Sequence, residues 1–149
     1  MEFSEFRVKK DAACPICGAS PSIRELIDYE GFCGIPAEGQ PAIAEVSAHA
    51  VHARRAAGED LLLLDVREPD EVETASIDGT VRIPLASLGA RIEELAAWRT
   101  RPVVVHCHHG GRSAKACARL VAEGFSRVEN LAGGIEAWSL TVDPDVPRY

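Results

Sequence analysis

The sequence predicts an α/β domain with a mostly parallel central sheet and helices on both faces, preceded by a short irregular extension. Three observations carry that prediction. Two apolar runs, Leu61-Leu-Leu-Leu-Asp65 and Val103-Val-Val-His106, are continuous rather than alternating, as strands buried on both faces must be. Each leads into a polar or reactive residue, Asp65 in the first and Cys107 directly after the second. Segments with helical character separate the runs, and such alternation implies parallel strands joined by crossovers.

The elements follow in order. Residues 43–46 suit a short strand. Ser47 suits an N-cap, residues 48–57 a helix, and Gly58 its stop. Residues 61–65 form the first buried strand, residues 81–83 a weaker one, and residues 87–98 a helix. Residues 102–106 form the second strong strand, and a helix follows over residues 114–123. Residues 128–131 read as a last short strand, after which Gly133-Gly134 turns into a final helical turn at residues 135–138. In such sheets ligands gather beyond the carboxyl ends of the strands, so Asp65 and Cys107 are expected to face one crevice.

The chain divides near residue 40, giving an extension over 1–40 and the α/β domain over 41–149. Ile35-Pro-Ala-Glu-Gly-Gln-Pro41, with two prolines and a glycine, reads as a linker. There is no internal repeat or low-complexity tract.

At 149 residues, 46% apolar and 26% charged, the chain has room for one well-buried soluble domain. A net charge of −7 argues against a general nucleic-acid or anionic-membrane binder. No apolar run approaches the roughly 20 residues that span a bilayer. The start, Met1-Glu-Phe-Ser-Glu-Phe, lacks the basic and apolar regions of a signal peptide. Five cysteines, Cys14, Cys17, Cys33, Cys107 and Cys117, are odd in number and scattered, unlike a disulfide framework. A reducing cytoplasm is the expected compartment.

The chemistry concentrates in Cys107-His-His-Gly-Gly-Arg-Ser113. A strand, a short Gly-containing loop and a helix start turn several backbone N–H groups toward one point above the sulfur, and the helix end adds partial positive charge. Such a site favours Cys107 as a thiolate nucleophile. Gly110 and Gly111 permit the curled backbone, Arg112 anchors the loop or adds charge, and Ser113 suits the helix cap. His108 and His109 are expected to flank the mouth, partly protonated near neutrality. Asp65 reads as a structural acid accepting backbone N–H bonds, with pairing to Arg112 as the alternative. Arg67 reads equally as a ligand of the substrate anion or as a solvated or salt-bridged surface group. Cys117, among alanines in the helix, reads as packing rather than as a resolving thiol.

Residues 43–138 resemble a rhodanese (sulfurtransferase) domain. The motifs that carry the resemblance are Leu64-Asp65-Val66-Arg67-Glu68-Pro69 with Glu71, Ile83-Pro84-Leu85, the cysteine loop, Gly124-Phe125 and Leu131-Ala-Gly133-Gly134-Ile135-Glu-Ala-Trp138. One departure is Thr74-Ala-Ser-Ile77-Asp-Gly79, where the family usually reads Gly-His-Ile-Pro-Gly. The resemblance implies a rhodanese-like fold in which Cys107 accepts a sulfane sulfur as a persulfide and passes it on, with no cofactor required. It also separates two relatives. Sulfurtransferases of this fold resemble the chain in placing four residues between cysteine and arginine, whereas its cell-cycle phosphatases place five. A non-catalytic docking module is the remaining rival.

Cys14-Pro-Ile-Cys17-Gly18 has zinc-knuckle spacing but supplies only half of a tetrahedral site, with Cys33 as a candidate third ligand. The same piece resembles the end of the E1-like adenylyltransferases that activate ubiquitin-like sulfur carriers. Several of those continue into a rhodanese domain and end in a segment such as Asp143-Pro-Asp-Val-Pro-Arg-Tyr149. The resemblance implies the carboxyl-terminal portion of a fused adenylyltransferase–sulfurtransferase, with zinc held only in a full-length parent. The donor it implies is thiosulfate or the persulfide of a cysteine desulfurase. The acceptor is a ubiquitin-like sulfur-carrier protein, in molybdopterin, thiamine, tRNA-thiolation or cysteine synthesis.

Overall fold

The computed structural model describes residues 43–149 together with Asp11, Ala12 and Ser20. The chain divides between Ala37 and Glu38, and the regular elements among the described residues all lie in the second unit. The half zinc site read at Cys14 and Cys17, and Cys33 with it, falls outside the described residues.

Strand β1 (Ala44–Val46) leads into α1 (Ala48–Ala56), whose N-cap Ser47 accepts the Ala50 N–H at 3.2 Å. Strand β2 (Leu62–Asp65) is followed by α2 (Pro69–Thr74) and the two-residue β3 (Val81–Arg82). Next comes a composite helical stretch, with a 3₁₀ turn at Leu85–Ser87, α3 at Leu88–Arg91 and a second 3₁₀ segment at Ile92–Trp98. Strand β4 (Val103–His106), α4 (Gly111–Ala122), β5 (Val128–Leu131) and α5 (Gly134–Thr141) complete the unit.

The five strands form one all-parallel sheet in the order β1-β5-β4-β2-β3. Every residue of β2 and β4 is buried, which explains their unbroken apolar sequence. Period-two alternation sends Leu62, Leu64, Val103 and Val105 to a core under α4 and the composite helix. Leu63 and Val104 go to the opposite core, with Val51, Ile135 and Trp138 of α1 and α5. Each such aliphatic side chain contributes about 1.5–3 kcal/mol by leaving water. In the parallel register Asp65 stands beside His106, so the ends of the two central strands are neighbours.

Three elements differ from the sequence expectation. The predicted helix at 87–98 keeps its buried spacing at Leu88, Leu95 and Ile92, but only four residues wind as α-helix. Gly89, a weak helix former, sits inside those four. Helix α2 was not predicted. It is six residues long, too short for a periodic signal, and starts at Pro69, with the Glu71 carboxylate accepting the Glu68 N–H at 3.1 Å. Helix α4 begins at Gly111, three residues before the predicted start, with Gly110 as its N-cap. Arg112 and Ser113 therefore lie inside its first turn, and Ser113 is not the cap. No described helix is long and apolar enough to cross a membrane.

Candidate active site

Cys107 follows β4, and the chain curls through His108, His109 and Gly110 into α4. Gly110 has φ +110°, a region that L side chains rarely adopt, and this turn brings its N–H to 3.1 Å from Cys107 Sγ. Gly111 needs no such allowance, since a Cβ there would meet open space. The Ser113 hydroxyl lies 3.4 Å from Sγ and 3.0 Å from the Gly110 carbonyl oxygen, so its one proton can turn to either. The Arg112 and Ser113 amides, in the first turn of α4, also favour the thiolate. Burial works against ionisation of this thiol, which is only 1% exposed. The Ser113 hydroxyl and the Ser113, Gly110 and Arg112 amides outweigh it and hold the thiol below its ordinary range. The arrangement is a cradle for a sulfur anion.

The Arg112 side chain does not meet Asp65. Its guanidinium grips Glu71 through both terminal nitrogens, with Nη2 to Oε1 at 2.6 Å. That pairing brings the Glu71 carboxyl down to about 2. Asp65 instead accepts the Arg67 backbone N–H at 3.0 Å, the structural reading, and pairs with the Arg67 guanidinium at 2.6 Å. Arg67 is salt-bridged, as one reading had it, but it is only 1% exposed and so is not a surface group. It is the buried brace beneath the loop, and it also donates to the Ala75 carbonyl at 2.9 Å. Asp65 is fully buried with it, so Asp65 and Cys107 end adjacent strands without facing a shared open crevice.

The two loop histidines pack on each other. His108 stacks on His109 with ring centroids 3.8 Å apart. Burial, and then the neighbouring His109, lower the His108 pKa, away from the partial protonation expected near neutrality. His106 is fully buried, and burial takes it down to about 4 despite Asp65, whose Oδ2 is 3.7 Å from Nε2. Cys117 is buried packing, as expected, and burial pushes its thiol up to about 12.

Several supporting residues escaped the sequence reading. The Ile135 and Glu136 amides of α5 donate to the Cys107 and His108 carbonyls at 2.9 and 3.2 Å. Gly134, at φ +59°, permits this approach, because a Cβ there would collide with those same two carbonyls. Asn130 Nδ2 lies 3.4 Å from the Gly110 carbonyl oxygen. The available signal was Gly133-Gly134, read only as a turn. Tyr149 accepts from Arg67 Nη1 at 2.7 Å and lies over His108. A groove of about 470 Å³, lined by residues such as His52, Arg55, Asp78 and Trp138, lies elsewhere and includes no residue of the cysteine loop. Among the described residues, no three His, Cys, Asp or Glu side chains group so as to hold a metal ion.

Comparison with known proteins agrees with this geometry. A family model described as a rhodanese-like domain matches residues 47–141. The probable adenylyltransferase/sulfurtransferase MoeZ of Mycobacterium tuberculosis is 36% identical over all of this chain, which spans 37% of that protein's length. A sulfurtransferase of Allochromatium vinosum is 37% identical over 65% of this chain and 89% of its own. The solved structure of a thiosulfate sulfurtransferase from Pseudomonas aeruginosa superposes with a TM-score of 0.61 at 33% identity, covering 66% of this chain and 19% of that one.

Proposed function

The chain belongs to the rhodanese-like domain family, and from that premise we propose that it is a sulfurtransferase carrying sulfane sulfur on Cys107. The observation that supports this most is the convergence of the Gly110 amide, the Ser113 hydroxyl and the first-turn amides of α4 on one buried sulfur. The Cys107 thiolate attacks the outer sulfur of thiosulfate. The donor's S–S bond breaks, sulfite leaves with the electron pair, and Cys107 becomes a persulfide anion. The terminal sulfur lies one S–S bond, about 2 Å, farther out, still within the field of the helix terminus and loop amides. An acceptor nucleophile such as cyanide or a thiolate then takes that sulfur and releases the Cys107 thiolate. Displacement between sulfur nucleophiles of this kind needs no metal or cofactor.

The physiological donor is thiosulfate or a cysteine desulfurase persulfide, and the acceptor is the activated C-terminus of a ubiquitin-like sulfur carrier, in the cytoplasm. Support for the acceptor comes from the similarity to MoeZ, whose name joins adenylyltransferase and sulfurtransferase and which matches this chain throughout. The short loop, with only His108, His109, Gly110 and Gly111 before Arg112, favours sulfur over a phosphoester. The test is thiocyanate formation from thiosulfate and cyanide, run beside aryl-phosphate hydrolysis. We expect turnover by the wild type, none by Cys107→Ser, and no hydrolysis. Phosphate release without thiocyanate would replace this reading with a phosphatase.

A further inference from the structure

The segment after α5 is held at three points, the last of them on the cysteine loop. Val146 is buried in the second core. Arg148 Nε donates to Glu136 Oε1 at 2.8 Å, and the Glu136 backbone N–H in turn holds the His108 carbonyl. Tyr149 stacks on His108 at 4.2 Å and 14°, completing a pile of three rings, His109–His108–Tyr149. Its hydroxyl accepts from Arg67 Nη1 at 2.7 Å and lies 3.3 Å from Glu71 Oε1, to which it donates. That same oxygen receives Arg112 Nη2. One hydroxyl thus joins the buried Asp65–Arg67 brace to the Glu71–Arg112 clamp, while its ring fixes the other side of the loop.

We propose that Tyr149 is a positioning residue for the sulfur cradle, acting through Glu71 and His108 to keep the loop and first-turn amides aimed at Cys107 Sγ. Arg112 lies in the turn whose amides face the sulfur, so whatever fixes its guanidinium fixes that turn. Glu71 does so from α2, forty-one residues away in sequence, and Tyr149 holds Glu71. This deepens the sulfurtransferase reading by adding a residue from outside the loop. The ionisable groups facing the Tyr149 side chain are Arg67, Glu71 and His108, with Arg112 beyond Glu71. His106 is buried on the strand side of Cys107.

The experiment is the pH dependence of Cys107 alkylation by iodoacetamide in the full chain, which requires no sulfur transfer. Tyr149→Ala should raise the midpoint by about half a pH unit and slow alkylation at pH 7 by about threefold, because loosened amides stabilise the thiolate less. Tyr149→Phe keeps the stack but loses both hydroxyl contacts, and should fall between Tyr149→Ala and the wild type. A midpoint equal to the wild type's in either variant overturns the proposal. So does a uniform rate change without a midpoint shift, which would make Tyr149 a matter of access. A wild type that alkylates with a low midpoint yet takes no sulfur from thiosulfate would sink the sulfurtransferase reading alone.

Discussion

Cys107 and Cys117 are both buried, and their thiols shift in opposite directions. Burial dominates at Cys117, where it pushes the thiol up. At Cys107 the Ser113 hydroxyl and the Ser113, Gly110 and Arg112 amides reverse the same penalty. Ser113→Ala removes one of them, so alkylation of Cys107 at pH 7 should slow by roughly 3- to 10-fold with its midpoint moved upward. A pH–rate profile checks both effects. His106 gives a separate prediction. Its folded pKa is about 4 against an ordinary 6.5, so between those values the unfolded chain binds the extra proton. The stability associated with a neutral His106 is present above pH 6.5 and is lost as pH falls through 4. Melting temperature measured against pH should fall across that window, and His106→Leu should flatten the fall. Glu71, lowered from 4.5 to about 2, acts in the more acid window below it. At this scale the sequence displayed the nucleophile and its donors, which lie within seven consecutive residues. It hid the contacts of Glu71 and Tyr149, which close over separations of 41 and 78 residues.

Two helix starts build the site from opposite sides. Helix α4 offers amides to the sulfur, and α5 offers amides to the carbonyls of the residues carrying it. Gly134→Ala puts a methyl group where the Cys107 and His108 carbonyls sit, in a backbone region that disfavours side chains. It should displace the loop, cost about 2 kcal/mol or more of stability, and depress sulfur transfer beyond any loss of folded protein. Chemical denaturation beside the thiocyanate assay separates the two losses. The two central strands were legible because burial on both faces demands continuous apolar runs, and α1 because Ser47 and Gly58 mark its ends. Helix α2 was not, since six residues beginning Pro-Asp-Glu resemble a polar turn until Glu71 finds Arg112. The early start of α4 was missed for a related reason: its first residue is a glycine, normally read as loop.

For the whole molecule, strand–helix alternation was enough to predict a parallel sheet, but it did not predict the strand order. That order places β4 between β5 and β2. The cysteine loop consequently has the Asp65–Arg67 brace on one side and the start of α5, which follows β5, on the other. Alternation along one run dictates its two faces, whereas adjacency between distant strands depends on crossovers that no local pattern records. On the proposed function, this framework makes Cys107 a carrier of one sulfane sulfur. The most direct measurement is the intact mass of the protein after incubation with thiosulfate and removal of excess donor. The wild type and Cys117→Ser should each gain one sulfur atom that dithiothreitol removes, and Cys107→Ser should gain none. An unchanged wild-type mass, or a sulfur retained by Cys107→Ser, would rule out Cys107 as the carrier.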